Sequence, residues 1–174
     1  MPLQFPRTKL FADPAGKFLH DVVLDSCRRH HAKVAIVDAS CEPATRITYA
    51  AYGEMVSLAA IGMVAADIQP SERIAIFLPN CWEFGVAYHA ATLAGAVPTT
   101  LNPTYREREV RYQLESSDAV ALITDGSLLE GIDLNQWRTR IHAITRFHKD
   151  LSNHAFNLWT YIRGVSRLQH GNIL

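Results

Sequence analysis

Apolar positions along the chain fall into two periods. Phe18, Leu19, Val22, Val23 and Cys27 recur at helical spacing and predict a helix from Lys17 to His30. Tyr52, Met55, Val56, Ala59, Met63 and Val64 form a second helical stripe, which predicts an amphipathic helix from about Tyr49 to Ala66, ended by Gln69-Pro70-Ser71. Between them, Lys33–Asp38 and Arg46–Thr48 read as short strands. Arg73–Leu78 is a β-branched and aromatic run that stops at Pro79-Asn80, the pattern of a buried strand. Asn80 stands three residues before Glu83, the spacing of a capping box, and predicts a helix over 81–94. That helix is apolar on nearly every side and so should be buried, with Gly95 as its stop. Val97–Leu101 is a strand whose Pro98 belongs at its start or on a sheet edge. Thr104 and Glu107 repeat the capping spacing before a helix reaching Glu115, along which Glu107–Arg111 and Arg111–Glu115 are i, i+4 pairs. Ala119–Thr124 is the next strand, closed by Asp125-Gly126.

Strands and helices in this alternation predict an α/β domain with a largely parallel sheet and flanking helices. After Ser127 the pattern weakens. Gln136–Arg138 and Arg140–Thr145 read as a helix end and a strand, and 146–161 has no clear period. The expected division is a domain over 1–126 followed by a divergent, irregular tail over 127–174.

The central block carries a resemblance. Arg73 to Phe84, with its Leu78-Pro79-Asn80 and Glu83-Phe84, is followed by Ala90 to Val97 and then by Leu101-Asn102-Pro103-Thr104-Tyr105. This ordered set resembles the N-terminal segment of AMP-forming acyl-CoA synthetases and coumarate-CoA ligases. Thr48-Tyr49-Ala50 and Ala121–Asp125 extend the similarity to roughly residues 17–126. The resemblance implies the partial N-terminal domain of an adenylate-forming ligase. For the full-length family it implies ATP, Mg²⁺ and coenzyme A as cofactors, with a carboxylic acid as substrate. The residues that carry it are strand ends, helix starts and close-packing Ala and Gly. They specify a fold and make no bonds.

Acyl-adenylate formation must hold a polyphosphate, which backbone N–H groups of a Gly-rich loop and a Lys do well. The family's loop reads roughly S/T-S-G-T-T-G-x-P-K-G, and no such run occurs here. Asp125-Gly126-Ser127 comes nearest, with one glycine and no following basic residue. Arg163-Gly164-Val165 and His170–Leu174 are similar to the family's residues just after that loop, so the short end at 163–174 is family-like. Asn157–Ile162 then stands where the loop is expected. An alteration within 127–165, by frameshift, splicing, gene-model error or degeneration, is the expectation, and sequencing the transcript there decides it. The family's adenine-binding, acyl-binding and C-terminal segments are expected beyond Leu174. No catalytic, cofactor-binding or metal residue is therefore carried over. The chain is expected to be inactive alone. The alternatives are a non-catalytic protein that pairs with a full-length homologue, or a degenerate gene product.

Charge and composition narrow the partners. With 17 basic and 17 acidic residues the formal net charge is zero, so no strong field draws the chain to nucleic acid. Arg28-Arg29-His30-His31 reads as a helix end, where cations suit the dipole. Cys27, Cys41 and Cys81 are dispersed, which suggests reduced thiols and a cytoplasmic location. No leader, targeting tripeptide or membrane span is expected. Among eight histidines none has metal-ligand spacing. His89 reads as a hydrogen-bonded core or interface residue. Cys81 opens a helix, which could lower its pKa, but a small helix-start residue beside a core is the favoured reading. Trp82 and Trp159 read as packing residues.

Overall fold

The computed structural model describes residues 18–39, 42–133 and 143–147. Their order is α1 (Leu19–Arg29), β1 (Val34–Asp38), β2 (Thr45–Thr48), α2 (Tyr49–Ala65), β3 (Arg73–Phe77), α3 (Trp82–Leu93), β4 (Val97–Thr100), α4 (Glu107–Ser117), β5 (Ala119–Asp125), a 3₁₀ turn (Gly126–Leu129) and β6 (Ala143–Phe147). β1 and β2 pair antiparallel as a separate ribbon. The other four strands form one sheet in the order β4-β3-β5-β6, with every pairing parallel. The α/β class and the largely parallel sheet are as the alternation predicts. β6 includes Arg146 and Phe147, so the sheet draws on the stretch that shows no period in the sequence.

β3 is central, and its apolar run is buried on both faces, as a parallel strand with helices on either side must be. Ile74, Ile76 and Leu78 join Ala121 and Ile123 of β5 beneath α1, α2 and α3. Ala75 and Phe77 join Leu122, Val110, Leu114 and Leu101 beneath α4. A register shift opposite Arg73/Ile74 inserts one residue into β5. It puts Ala119 and Ala121 on opposite faces despite their spacing of two.

α2 is buried over a wider arc than the sequence stripe suggests. Tyr52, Gly53, Val56, Ala59, Ala60, Gly62 and Met63 are all buried, whereas Val64 is 59% exposed. Small residues explain the arc, because they let α1 and α3 both approach. A Cβ added at Gly53 would lie 2.9 Å from Cys27 Cβ. The helix ends differently from the expectation as well. Asp67 takes a φ of 65°, while Asp67 N–H donates to Val64 O and Ile68 N–H to Met63 O at 3.0 and 3.1 Å. This is a Schellman stop with Asp where Gly is usual, tolerable because Asp visits the left-handed region more readily than most residues. α3 stops at Gly95 as expected. Its φ is 80°, and Ala96 N–H donates to Ala91 O and Gly95 N–H to Thr92 O.

Two predicted caps are displaced. Cys81, not Asn80, is the N-cap of α3, and its side chain makes no capping bond. Arg106, not Thr104, is the N-cap of α4, where Glu109 reaches back to Arg106 N–H at 3.1 Å. Thr104 instead donates to Asn102 Oδ1 within the preceding turn. In both cases the helix starts one or two residues after the spacing that predicts it.

Candidate functional site

Parallel pairing brings the carboxyl ends of β3, β4 and β5 to one edge of the sheet. Ile76 is opposite Thr100, and Phe77 is opposite Thr124. Three described loops leave that edge: 78–81, 101–106 and 125–128. The first leads into α3 on one face. The last leads to Leu129, which packs with α4 on the other. Loops that diverge to opposite faces open a crevice at the strand ends, where ligands bind in doubly wound sheets. This edge is the candidate site.

Its side chains are mostly acceptors engaged in their own turns. Asn102 Oδ1 accepts from Thr104 N–H and Oγ1 at 3.0 and 2.9 Å. Asp125 Oδ1 accepts from Ser127 N–H and Oγ at 2.9 and 3.0 Å. Thr124 is wholly buried and donates to Asp125 O at 3.2 Å. Asp125 is the acid of the third loop, and the exposed Arg106, the N-cap of α4, closes the second. The hydrogen bonds of Asn102 and Asp125 fix loop conformation.

Cys81 closes the first of these loops, and the other residues singled out in the sequence lie elsewhere. Cys81 is half-buried at the start of α3, and burial, the largest influence, pushes its thiol up to about 12. Burial outweighs the helix N-terminus there, so the packing reading holds. Trp82 packs against the core beneath α1–α3. His30 is the C-cap of α1 beside Arg28 and Arg29. Arg111 closes on Glu107 at 3.0 Å. Among the described residues no group of three or more His, Cys, Asp or Glu could hold a metal, and no helix is long and apolar enough to cross a membrane. His142, His148, His154 and Trp159 lie outside the described side chains, as do Cys41, 157–162 and 163–174.

His89 has a partner that sequence reasoning missed. Its Nδ1 lies 2.6 Å from the hydroxyl of Tyr52 on α2. The two residues are 37 apart in the chain, and no local signal joins them. Tyr88 stands edge-on to the same imidazole, with centroids 5.8 Å apart. Burial lowers the pKa of His89, and the Gly85 carbonyl opposes that in part. Burial also raises the Tyr52 phenol, with Cys27 a lesser cause. The pair is thus neutral and structural at physiological pH.

A doubly wound sheet whose strand-end loops carry the Leu-Pro-Asn and Asn-Pro turns defines an adenylate-forming ligase fold. The chain belongs to the AMP-binding enzyme family, whose model matches residues 23–161. It is 38% identical over 106 residues to triostin synthetase I of Streptomyces triostinicus, covering 61% of this chain and 19% of that protein. It is 32% identical over 107 residues to 4-coumarate–CoA ligase 1 of Solanum tuberosum, again 61% of this chain and 19% of the relative. The fold is similar to that of a benzoate CoA ligase from Burkholderia xenovorans, with a TM-score of 0.69 at 20% identity, over 83% of this chain and 28% of that one. The chain therefore spans about a fifth of the length of the curated relatives it matches. The family match runs past residue 126, where the sequence resemblance weakens, and ends just before 163.

The family implies ATP, Mg²⁺ and coenzyme A for its full-length members. The described strand-end loops hold no Gly-rich, Lys-bearing run for such a group: Asp125 is committed to Ser127, and the basic residue they bring is Arg106 at the start of α4.

Proposed function

We propose that this chain is the N-terminal scaffold of an AMP-dependent ligase of the acyl-CoA synthetase lineage, and that it forms no acyl-adenylate by itself. In that lineage ATP activates a fatty or aryl carboxylic acid, and coenzyme A then takes the acyl group as a thioester in the cytoplasm. The observation that supports the reading is the composition of the strand-end loops. They carry the family's turn residues in order, yet the sequence holds no Gly-rich, Lys-bearing phosphate loop. The described residues thus supply the sheet on which a ligase site is built, while the described strand-end loops hold no Gly-rich, Lys-bearing run. Within this reading, 1–126 carries three strands of the scaffold's sheet, and 127–174 is a divergent segment that adds β6 and has a family-like end.

Calorimetric titration with Mg·ATP tests it. No saturable heat is expected up to millimolar nucleotide, and one-to-one binding would overturn the reading.

A second reading, pairing with a full-length homologue, is favoured by exposed apolar side chains. Phe18, Leu19 and Val22 on α1 and Ile61 and Val64 on α2 are between 40% and 70% exposed. Co-elution with a full-length ligase on size exclusion would support it. A monomer unaffected by the ligase would count against it.

A further inference from the structure

α2 and α3 are joined by a polar contact inside an otherwise apolar interface, between the hydroxyl of Tyr52 and Nδ1 of His89. We propose that this hydrogen bond is an acid-sensitive latch that holds α2 to α3.

The geometry leaves the hydroxyl nowhere else to go. Tyr52 is 6% exposed, and its oxygen is so close to α3 that a Cβ on Gly85 would lie 2.8 Å from it. With the neutral imidazole's proton on Nε2, Nδ1 accepts the phenolic proton. A second proton makes both ring nitrogens donors. The phenol must then accept, and its own proton loses this partner in a part-buried contact. The cost of the lost bond falls on the α2–α3 contact.

Beyond the Gly85 carbonyl, the surroundings offer the new charge little compensation. α2 presents Tyr52, and α1 brings Cys27 against Tyr52. The charged residues of α1 are engaged along that helix, Asp21 with Phe18 N–H and Asp25 with Arg28. Glu54 of α2 and Arg73 of β3 are exposed, β4 carries no ionisable group, and α3 itself adds Tyr88 and Glu83. Burial accordingly lowers the pKa of His89 in the fold. The unfolded chain, with its His near 6.5, therefore takes up the proton first. The stability from this pair is complete above about pH 6.5 and is lost as pH falls from there toward the lowered folded value. Within that window the limit of one proton is about a tenfold loss in the folding constant per pH unit.

The test uses the full 174-residue chain. The His89 ring resonances are followed by NMR from pH 8 to 5 in wild type and Tyr52→Phe. Urea unfolding of wild type and His89→Gln is measured over the same range. His89 is expected to titrate below 6.5 in wild type and closer to 6.5 in Tyr52→Phe. The acid-side loss of stability should shrink in His89→Gln by up to about tenfold in the folding constant per pH unit. Wild-type titration at or above 6.5, or a Tyr52→Phe titration identical to wild type, overturns the latch. The NMR arm decides the matter even where His89→Gln does not fold.

Discussion

Gly53→Ala sets two physical effects against each other, and the structure decides between them. Gly53 lies inside α2, where replacing Gly by Ala in a helix is worth about 0.5–1 kcal/mol of stability. Propensity alone therefore predicts a more stable protein. The added Cβ, however, would sit 2.9 Å from Cys27 Cβ and 3.3 Å from Cys27 Sγ. Carbon atoms prefer about 3.5–4.0 Å, so α1 and α2 must part by roughly 0.6–1 Å. The blocking atom is a Cβ fixed to the α1 backbone, so no rotamer change relieves it. Overpacking of this kind costs about 1–3 kcal/mol. The clash cost less the propensity gain is a destabilisation of up to about 2.5 kcal/mol, roughly 1 kcal/mol at mid-range. With a urea m-value of about 2 kcal/mol/M, the unfolding midpoint should fall by roughly 0.5 M, and by at most about 1.2 M. The control is the same substitution in a Cys27→Gly background, where the clash is gone. There Gly53→Ala should raise the midpoint, and the cycle should give a coupling of about 1–3 kcal/mol. A higher midpoint for Gly53→Ala in the wild-type background would refute the close approach of α1 and α2.

Two further outcomes test the core and the thiols. Phe77, wholly buried on the α4 face of β3, should cost about 3–5 kcal/mol when changed to Ala, read from urea denaturation. With its thiol pushed up to about 12, Cys81 should react slowly with a disulfide reagent at pH 8, where only about one in ten thousand such groups is ionised. In a Cys41→Ser background, both remaining thiols should become reactive together on unfolding. Fast labelling of Cys81 in the folded chain, located by peptide mapping, would show that burial does not control it.

Much of the fold is legible in the sequence because local chemistry specifies it. β3 is a run of Ile, Ala and Phe between Arg73 and Pro79, and Gly95 is the one residue near the end of α3 that takes a φ of 80° without strain. Pro98 signals an edge strand, and β4 is the edge. The strand order is not local. It depends on which crossover passes over which face, and that is set by the facing clusters around β3. The same holds for the Cys27–Gly53 approach and the Tyr52–His89 bond, each between residues that only the tertiary fold brings together. Asp67 is hidden for another reason: its stop uses a residue whose left-handed propensity is modest, so Gln69-Pro70 is the stronger signal in the sequence. The strand-end edge is implied by the alternation of strands and helices.

A ligase scaffold without adenylating activity is tested most directly by ATP–pyrophosphate exchange. It is measured on the purified 174-residue chain, with Mg²⁺ and a panel of fatty and aryl acids. Exchange no greater than the enzyme-free background is expected for every acid. Robust acid-dependent exchange would contradict the proposed scaffold role, and would mean that a phosphate site forms from residues the strand-end loops do not provide.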